Sequence, residues 1–406
     1  MSTKQPNRRS FLSVVSVVSA LPGVGALLPA SFAAPPDASQ SRDIIAELGV
    51  RPIINAAGTY TALTASLMPP EVVAAIQVAS RQYVRLNELH DAVGARIAER
   101  LQCEAALVSA GCASALSLAA AACVTGTDRE KIRQIPDTHN LKNEVISQRA
   151  HRSGYAHAIR NAGVQIVEVE TRQELERAIN HRTAMMVFFN HAAPDGQIGL
   201  DEFVALGKKH NVPTLIDAAA DVPPVENLFR FTKMGFDLVA FSGGKGLRGP
   251  QSAGLLLGRK DLIEAARMNN SPNSDALCRT NKVNKEELVG MLAALELFLD
   301  RDHEAVWKDW EARCSRIAAA VGQIRTVRTE TFVPEIANAV PHLRVTWDET
   351  ALGMTPAQVS EKMRAGEPSI EVRPGAREAL EIGVWMLEPG EDEVVARRLR
   401  EVLQQA

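Results

Sequence analysis

Residues 213–250 read PTLIDAAADVPPVENLFRFTKMGFDLVAFSGGKGLRGP, and their pattern decides the fold. PTLI is a short apolar run that delivers a carboxylate, Asp217, and DLVAFS is a second run that leads into glycines 243, 244, 246 and 249 around Lys245. Apolar runs of this length, bounded by turn residues, predict strands buried on both faces. A carboxylate at the end of such a strand must be paired or hydrogen-bonded, because isolated burial of its charge costs several kcal/mol. The glycines allow tight turns and leave the lysine amine uncrowded. On its own, GGKG reads equally well as a surface turn.

Working outward, AALVSA, QIVEV, AMMVFF and AGLLLG are further strand candidates between Cys103 and Gly258. SALSLAAAAC, YAHAIRNAG, RQELERAI and LDEFVALGKKH are helical stretches between them. This alternation predicts βαβ units, a mainly parallel sheet covered on both faces, and ligands at the carboxyl ends of its strands. The expected divisions are an address segment (1–33), an extended arm (34–69), a large α/β domain (70–284), a connecting helical stretch (285–324) and a small α/β domain (325–406). Pro70 to Arg100 reads as helical, HLRVTWD and SIEVR as strands, and EDEVVARRLREVLQQ as a closing helix.

The 406 residues carry 45 Lys and Arg against 48 Asp and Glu. Residues 1–33 hold three of the bases and no acid, which leaves 42 bases against 48 acids beyond them. No concentrated basic face is in prospect, so nucleic acid is not an expected partner. Five cysteines without a CxxC pair argue against a disulfide framework or a cysteine-rich zinc site. HExxH and GxSxG are both missing, which sets metal-hydrolase and serine-hydrolase readings aside. Arg8-Arg9 before the apolar stretch from Phe11 predicts a twin-arginine export signal cleaved after Ala33. Pro22, Gly23, Gly25 and Pro29 break the stretch, so a membrane span is not expected. The implied partner is the twin-arginine translocase, and the implied location is the periplasm. That route carries folded proteins, so it also predicts a cofactor inserted before export.

Three strand ends carry the chemistry. ALVSAGCASALSL joins a strand to a helix through Gly111, Cys112 and Ala113, small residues that let an anion approach backbone N–H groups at the helix start. Asp217 suits a protonated pyridine nitrogen, and Ala219 is small enough to let a ring lie against the strand. Lys245 supplies an amine able to form an imine. GK is not followed by Ser or Thr, so the turn is no P-loop. The three elements together point to pyridoxal phosphate (PLP).

INAAGT, VSAGCASAL, HRSGYAHAIRNAGVQIVEVE, LIDAAADVPPVENL, FSGGKGLRGPQSAGLLLGRKDLI and NKVNKEELVGMLAALE resemble, in this order, the PLP-dependent family of seryl-tRNA selenium transferase and D-glucosaminate-6-phosphate ammonia-lyase. The resemblance implies the fold type I architecture of the aspartate aminotransferase superfamily, with sites at the interfaces of a homodimer or larger assembly. It makes Lys245 the Schiff-base lysine, Asp217 the pyridine partner, and Gly111, Cys112 and Ala113 the phosphate turn, with Ser242 adding a hydroxyl. It suggests His151 as the residue stacked on the cofactor ring and Asn190 as a partner of its phenolic oxygen; a water-facing His151 and a simple turn Asn190 are the alternatives. Arg373 is the expected carboxylate arginine, with Arg279 as a second candidate. Export argues against tRNA and against phosphorylated sugars as substrates. The expected activity is α-proton abstraction from an unphosphorylated amino acid or amino-sugar acid, with β-elimination and ammonia release. A racemase, an aminotransferase and a non-catalytic binding protein are the alternatives.

Overall fold

The computed structural model describes residues 42–373 and 379–405, so the export-signal reading of residues 1–33 lies outside the described residues. Of the described residues, 42–51 form a unit of their own. In it, a single-turn helix, Ile44–Glu47, starts where the Asp43 side chain accepts the Ala46 N–H at 3.0 Å.

The second unit begins at Pro52. It opens with β1 (Ile53–Ala56) and continues through β2 (Ala105–Ser109), β3 (Glu144–Gln148), β4 (Gln165–Val169), β5 (Thr183–Phe189), β6 (Thr214–Asp217), β7 (Leu238–Ser242) and β8 (Gly254–Gly258). β2 to β8 form a seven-stranded sheet in the order β2-β8-β7-β6-β5-β3-β4. β7, β6, β5, β3 and β4 run parallel, whereas β8 is antiparallel to both its neighbours. Phe189 pairs with Asp217, and Gly254 with both Ser242 and Ser109. The ends of β2, β5, β6 and β7 therefore share one edge, where the chain order places Lys245 and the Gly111 turn.

Alternation along the buried strands sends side chains into two apolar clusters. Ile216 packs with the helices Leu86–Leu101, Leu200–His210, Asn227–Met234 and Lys285–Asp300; Leu215 packs with Gly111–Thr125 and Lys260–Met268 on the other face. The central strands are covered on both faces, as uninterrupted apolar runs require.

The β3 segment, EVISQ, is polar at both ends and carries no strand signal of its own. All five of its residues are nevertheless buried. Glu144 is kept there by an ion pair with Arg182 and a 2.7 Å hydrogen bond from Asn180 Nδ2. Gln148 accepts the Ile198 N–H at 2.8 Å and donates to the Ile198 carbonyl at 2.9 Å. Two expected continuous helical stretches are each divided in two. Pro70–Ser80 is separated from Leu86–Leu101, and Lys285–Asp300 from His303–Val321. Asp302 starts the last of these by accepting the Ala305 N–H at 2.9 Å, an N-cap bond that a continuous helix would not form.

Beyond lie β9 (Arg328–Phe332), β10 (His342–Thr346), β11 (Ser369–Val372) and β12 (Leu380–Gly383). β12, β10 and β9 form an antiparallel three-stranded sheet. β11 instead pairs in parallel with β1, Ile53 against Ser369 through Ala56 against Val372. The INAAGT segment, expected to be an arm, is thus a strand tied to the C-terminal region. A third apolar cluster, including Ile54, Ile317, Leu343, Ile370 and Leu399, unites these strands with the helices His303–Val321 and Glu391–Gln404.

Candidate active site

Asp217, at the end of β6, is 5% exposed. Its Oδ1 accepts the Ala219 N–H at 3.0 Å and faces the Cys112 thiol at 3.6 Å. Burial pushes its pKa up, opposed by the Ala219 N–H and the positive charge of Lys245. Burial also raises the Cys112 thiol well above its ordinary range, so sulfur keeps its proton and donates weakly to the carboxylate. Cys112 lies on the first turn of Gly111–Thr125, a helix whose N-terminus has no side-chain cap. Gly111 has φ +76°, and a Cβ on the facing Gly254 would stand 2.4 Å from the Gly111 carbonyl carbon. Glycine at both positions lets the strand and the helix start close up, leaving uncapped N–H groups at the sheet edge.

Lys245 is half-buried. The glycines around it have a reason other than backbone freedom: a Cβ on Gly244 would meet Gln251 Cα at 2.4 Å, and one on Gly246 the Val222 carbonyl oxygen at 2.0 Å. Close chain approach, rather than a left-handed φ, requires them. The lysine opens on a cavity of about 120 Å³ that also takes in Gly58, Tyr60, Tyr155, Asn338, His342, Arg373 and Trp385. A larger cavity of about 420 Å³, lined by His90, Ala105 and Arg267, lies at the opposite edge of the sheet, where Ala105 pairs with Gly258.

Of the two arginines foreseen, Arg373 lines the Lys245 cavity; its Nη1 lies 3.4 Å from Glu381 Oε2. Arg279 is not among that cavity's lining residues. Asn190 follows β5, is 6% exposed, and leaves its Oδ1 without a partner. Its side chain is hydrogen-bonded to Asp221, a residue that sequence reasoning missed although DAAAD places it four positions after Asp217. Burial raises Asp221 to about 6, against the opposing Asn190 hydrogen bond. Ser242 ends β7 in register with Gly254.

His151 is buried, so the water-facing alternative for it does not hold. Its ring is 0% exposed, packs edge-on against Phe188 at 4.4 Å, and accepts the Phe189 N–H at Nδ1 over 3.3 Å. The ring does not face water; it lines a separate cavity of about 350 Å³ with Gln148, Arg152 and Phe189, and is not among the residues lining the Lys245 cavity. The aromatic side chain of this segment that reaches the Lys245 cavity is Tyr155. Tyr155, Asn338, His342 and Trp385 carry no local sequence signal, since they come from separate segments.

Three observations fit this edge to PLP. Asp217 is a buried carboxylate with no hydrogen-bonded cation among the described residues, uncapped N–H groups lie beside it for a phosphate, and the Asn190 Oδ1 has no partner among the described residues. Fold and site define a PLP-dependent enzyme of fold type I. The architecture is shared with a Sphingomonas wittichii serine palmitoyltransferase (TM-score 0.55, 14% identity, 88% of each chain), a likeness of fold alone. The chain belongs to the L-seryl-tRNA selenium transferase family, whose model matches residues 53–308. It is 33% identical over 371 residues to a 5'-C-glycyluridine monooxygenase-decarboxylase of Streptomyces sp, covering 88% of this chain and 91% of that one. It is 30% identical over 380 residues to the D-glucosaminate-6-phosphate ammonia lyase of Salmonella typhimurium (strain 14028s / SGSC 2262), covering 90% and 99%. A solved structure of a D-glucosaminate-6-phosphate ammonia-lyase superposes with a TM-score of 0.79 at 28% identity, covering 90% of this chain and 99% of that one.

Proposed function

We propose that the protein is a PLP-dependent lyase that removes the α-proton of an unphosphorylated amino acid or amino-sugar acid, eliminates the β-substituent and releases ammonia. The observation that carries this reading is the meeting of Lys245 and Arg373 on one cavity beside the strand end that holds Asp217.

The residues suited to hold the cofactor are Lys245, Asp217 and the uncapped turn Gly111 to Ala113, with Asn190 and Ser242 beside them. When bound, PLP supplies an electron-withdrawing ring that takes up the electron pair left as the Cα–H bond breaks. Asp217, fixed by the Ala219 N–H and the Cys112 thiol, would face the ring nitrogen, whose positive charge would keep the carboxylate ionised against the effect of burial. Arg373 offers a planar fork to the substrate carboxylate and orients Cα towards the lysine. The Lys245 amine would be the base that takes the α-proton. The small volume of the cavity suits a compact substrate.

The twin-arginine reading of residues 1–33 supports a periplasmic location, where phosphorylated sugars are scarce. Cell fractionation of the tagged full-length chain, with and without Arg8-Arg9→Lys-Lys, tests the location. Incubating the purified enzyme with β-hydroxy amino acids and amino-sugar acids, while following ammonia, keto acid and α-deuterium exchange, tests the reaction. Exchange without ammonia replaces the lyase with a racemase, and amino-group transfer to a keto acid replaces it with an aminotransferase.

A further inference from the structure

We propose that Trp385 and His342 form a donor–acceptor pair that reads a hydroxyl group on the substrate and so sets the specificity of the Lys245 cavity. The inference rests on the amino-acid reading above and deepens it. Trp385 is 4% exposed, and its indole Nε1 has no hydrogen-bond partner among the described residues. Such a nitrogen only donates, and a buried donor without an acceptor calls for one from a ligand. A Cβ built on Gly58 would stand 3.5 Å from Nε1, and Gly58 and Trp385 both line the cavity. Gly58 has φ +122°, a conformation that disfavours a side chain there. The Asn55 Oδ1 fixes this backbone by accepting the N–H groups of Ala57 and Gly58 at 3.1 and 3.0 Å.

His342 supplies the complementary group. Its Nδ1 lies 2.7 Å from the Val340 carbonyl oxygen, which only accepts, so the geometry assigns the proton to Nδ1 and leaves a lone pair on Nε2. Burial lowers its pKa and keeps the ring neutral. Both residues line the one cavity, so together they offer a donor and an acceptor to a group that is both. A hydroxyl accepts from the indole and donates to the imidazole. A carboxylate or phosphate oxygen satisfies Trp385 but sets its lone pairs against Nε2; an ammonium does the reverse, and a methyl satisfies neither.

The test titrates the PLP-loaded enzyme with serine against alanine, threonine against 2-aminobutyrate, and 2-amino-2-deoxygluconate against norleucine. Kd is read from the visible absorbance change, and α-proton exchange from NMR in deuterated solvent. The hydroxylated member of each pair is expected to bind about 10-fold or more tightly, since a site built around a hydroxyl rejects the analogue lacking it. Trp385→Phe, which removes the N–H and keeps a ring, is expected to cut that preference to about threefold or less. Equal Kd values in the wild type, a measurement that needs no variant, overturn the proposal while exchange upholds the amino-acid reading. A preference undiminished in Trp385→Phe overturns it as well. If no compound exchanges its α-proton, the amino-acid reading falls and the proposal with it.

Discussion

The candidate site has two walls built on different principles. The cofactor wall is the edge of the seven-stranded sheet, where Asp217, the Gly111 turn and Lys245 each follow a strand buried on both faces. The substrate wall is assembled from residues around 58, 155, 338–342, 373 and 385, brought together by the β1–β11 pair and the three-stranded sheet. The first derives its geometry from register and the second from long-range packing. Substitutions in the cofactor wall should therefore weaken cofactor holding and turnover, and substitutions in the substrate wall should change substrate affinity.

The largest expected effect is that of Lys245→Ala. The visible absorbance band of the loaded enzyme should disappear, and turnover should fall by about 10⁴-fold, since both covalent holding and proton transfer are lost. A variant that keeps the band and most of its activity breaks the assignment of Lys245. Next comes Asp217→Asn, which retains an oxygen for the Ala219 N–H but loses the charge. Removing one partner of a buried ion pair costs about 3–5 kcal/mol, so the PLP Kd by equilibrium dialysis should rise roughly 100-fold or more. An unchanged Kd would show that the ring nitrogen is held elsewhere.

This wall was largely legible in the sequence, because buried strands announce themselves as apolar runs and Asp217, Gly111 and Lys245 stand where such runs stop. β3 was not, since Glu144 and Gln148 are compensated by Arg182, Asn180 and Ile198, residues remote in sequence. His151 lies on the segment expected for it, yet the Phe189 N–H and the Phe188 ring draw it inward. The substrate wall offered only Arg373 to sequence reasoning. Gly58, Asn338, His342 and Trp385 become neighbours only once INAAGT pairs with β11, and no periodicity within one segment encodes that pairing.

Asp221 joins the two walls. Its side chain is hydrogen-bonded to Asn190 at the sheet edge and to the Ala337 N–H, next to Asn338. The Asn338 N–H donates in turn to the Ala220 carbonyl at 2.7 Å. Burial raises Asp221 from 3.8 to about 6, so the folded state favours its protonated form. The sign follows: its favourable contribution is complete below pH 3.8 and is lost as pH rises through about 6. Two pKa units correspond to about 3 kcal/mol. Relative to Asp221→Asn, the wild type should lose roughly that much stability in urea unfolding between pH 4 and pH 8. A difference that does not change with pH would mean that Asp221 stays charged and paired throughout.

The smallest of these effects belongs to the substrate wall and separates its two candidate arginines. Arg373 Nη1 stands 3.4 Å from Glu381 Oε2, a loose contact, whereas Glu381 Oε1 takes Arg344 Nη2 at 3.0 Å. Glu381 therefore keeps a close partner when Arg373 turns its fork to a ligand. Hydrogen bonds to a charged group contribute about 1.5–3 kcal/mol, so Arg373→Gln should raise KM roughly 10- to 100-fold. kcat should change much less, because the lysine and the cofactor wall are untouched. Arg373→Lys should recover only part of the affinity, a point charge lacking the two-pronged fit of the guanidinium. A purely structural role would lower the melting temperature and leave KM alone. If instead Arg279→Gln raises KM and Arg373→Gln does not, the carboxylate is bound outside the cavity that holds Lys245, and the two walls do not meet where the proposed reaction needs them to.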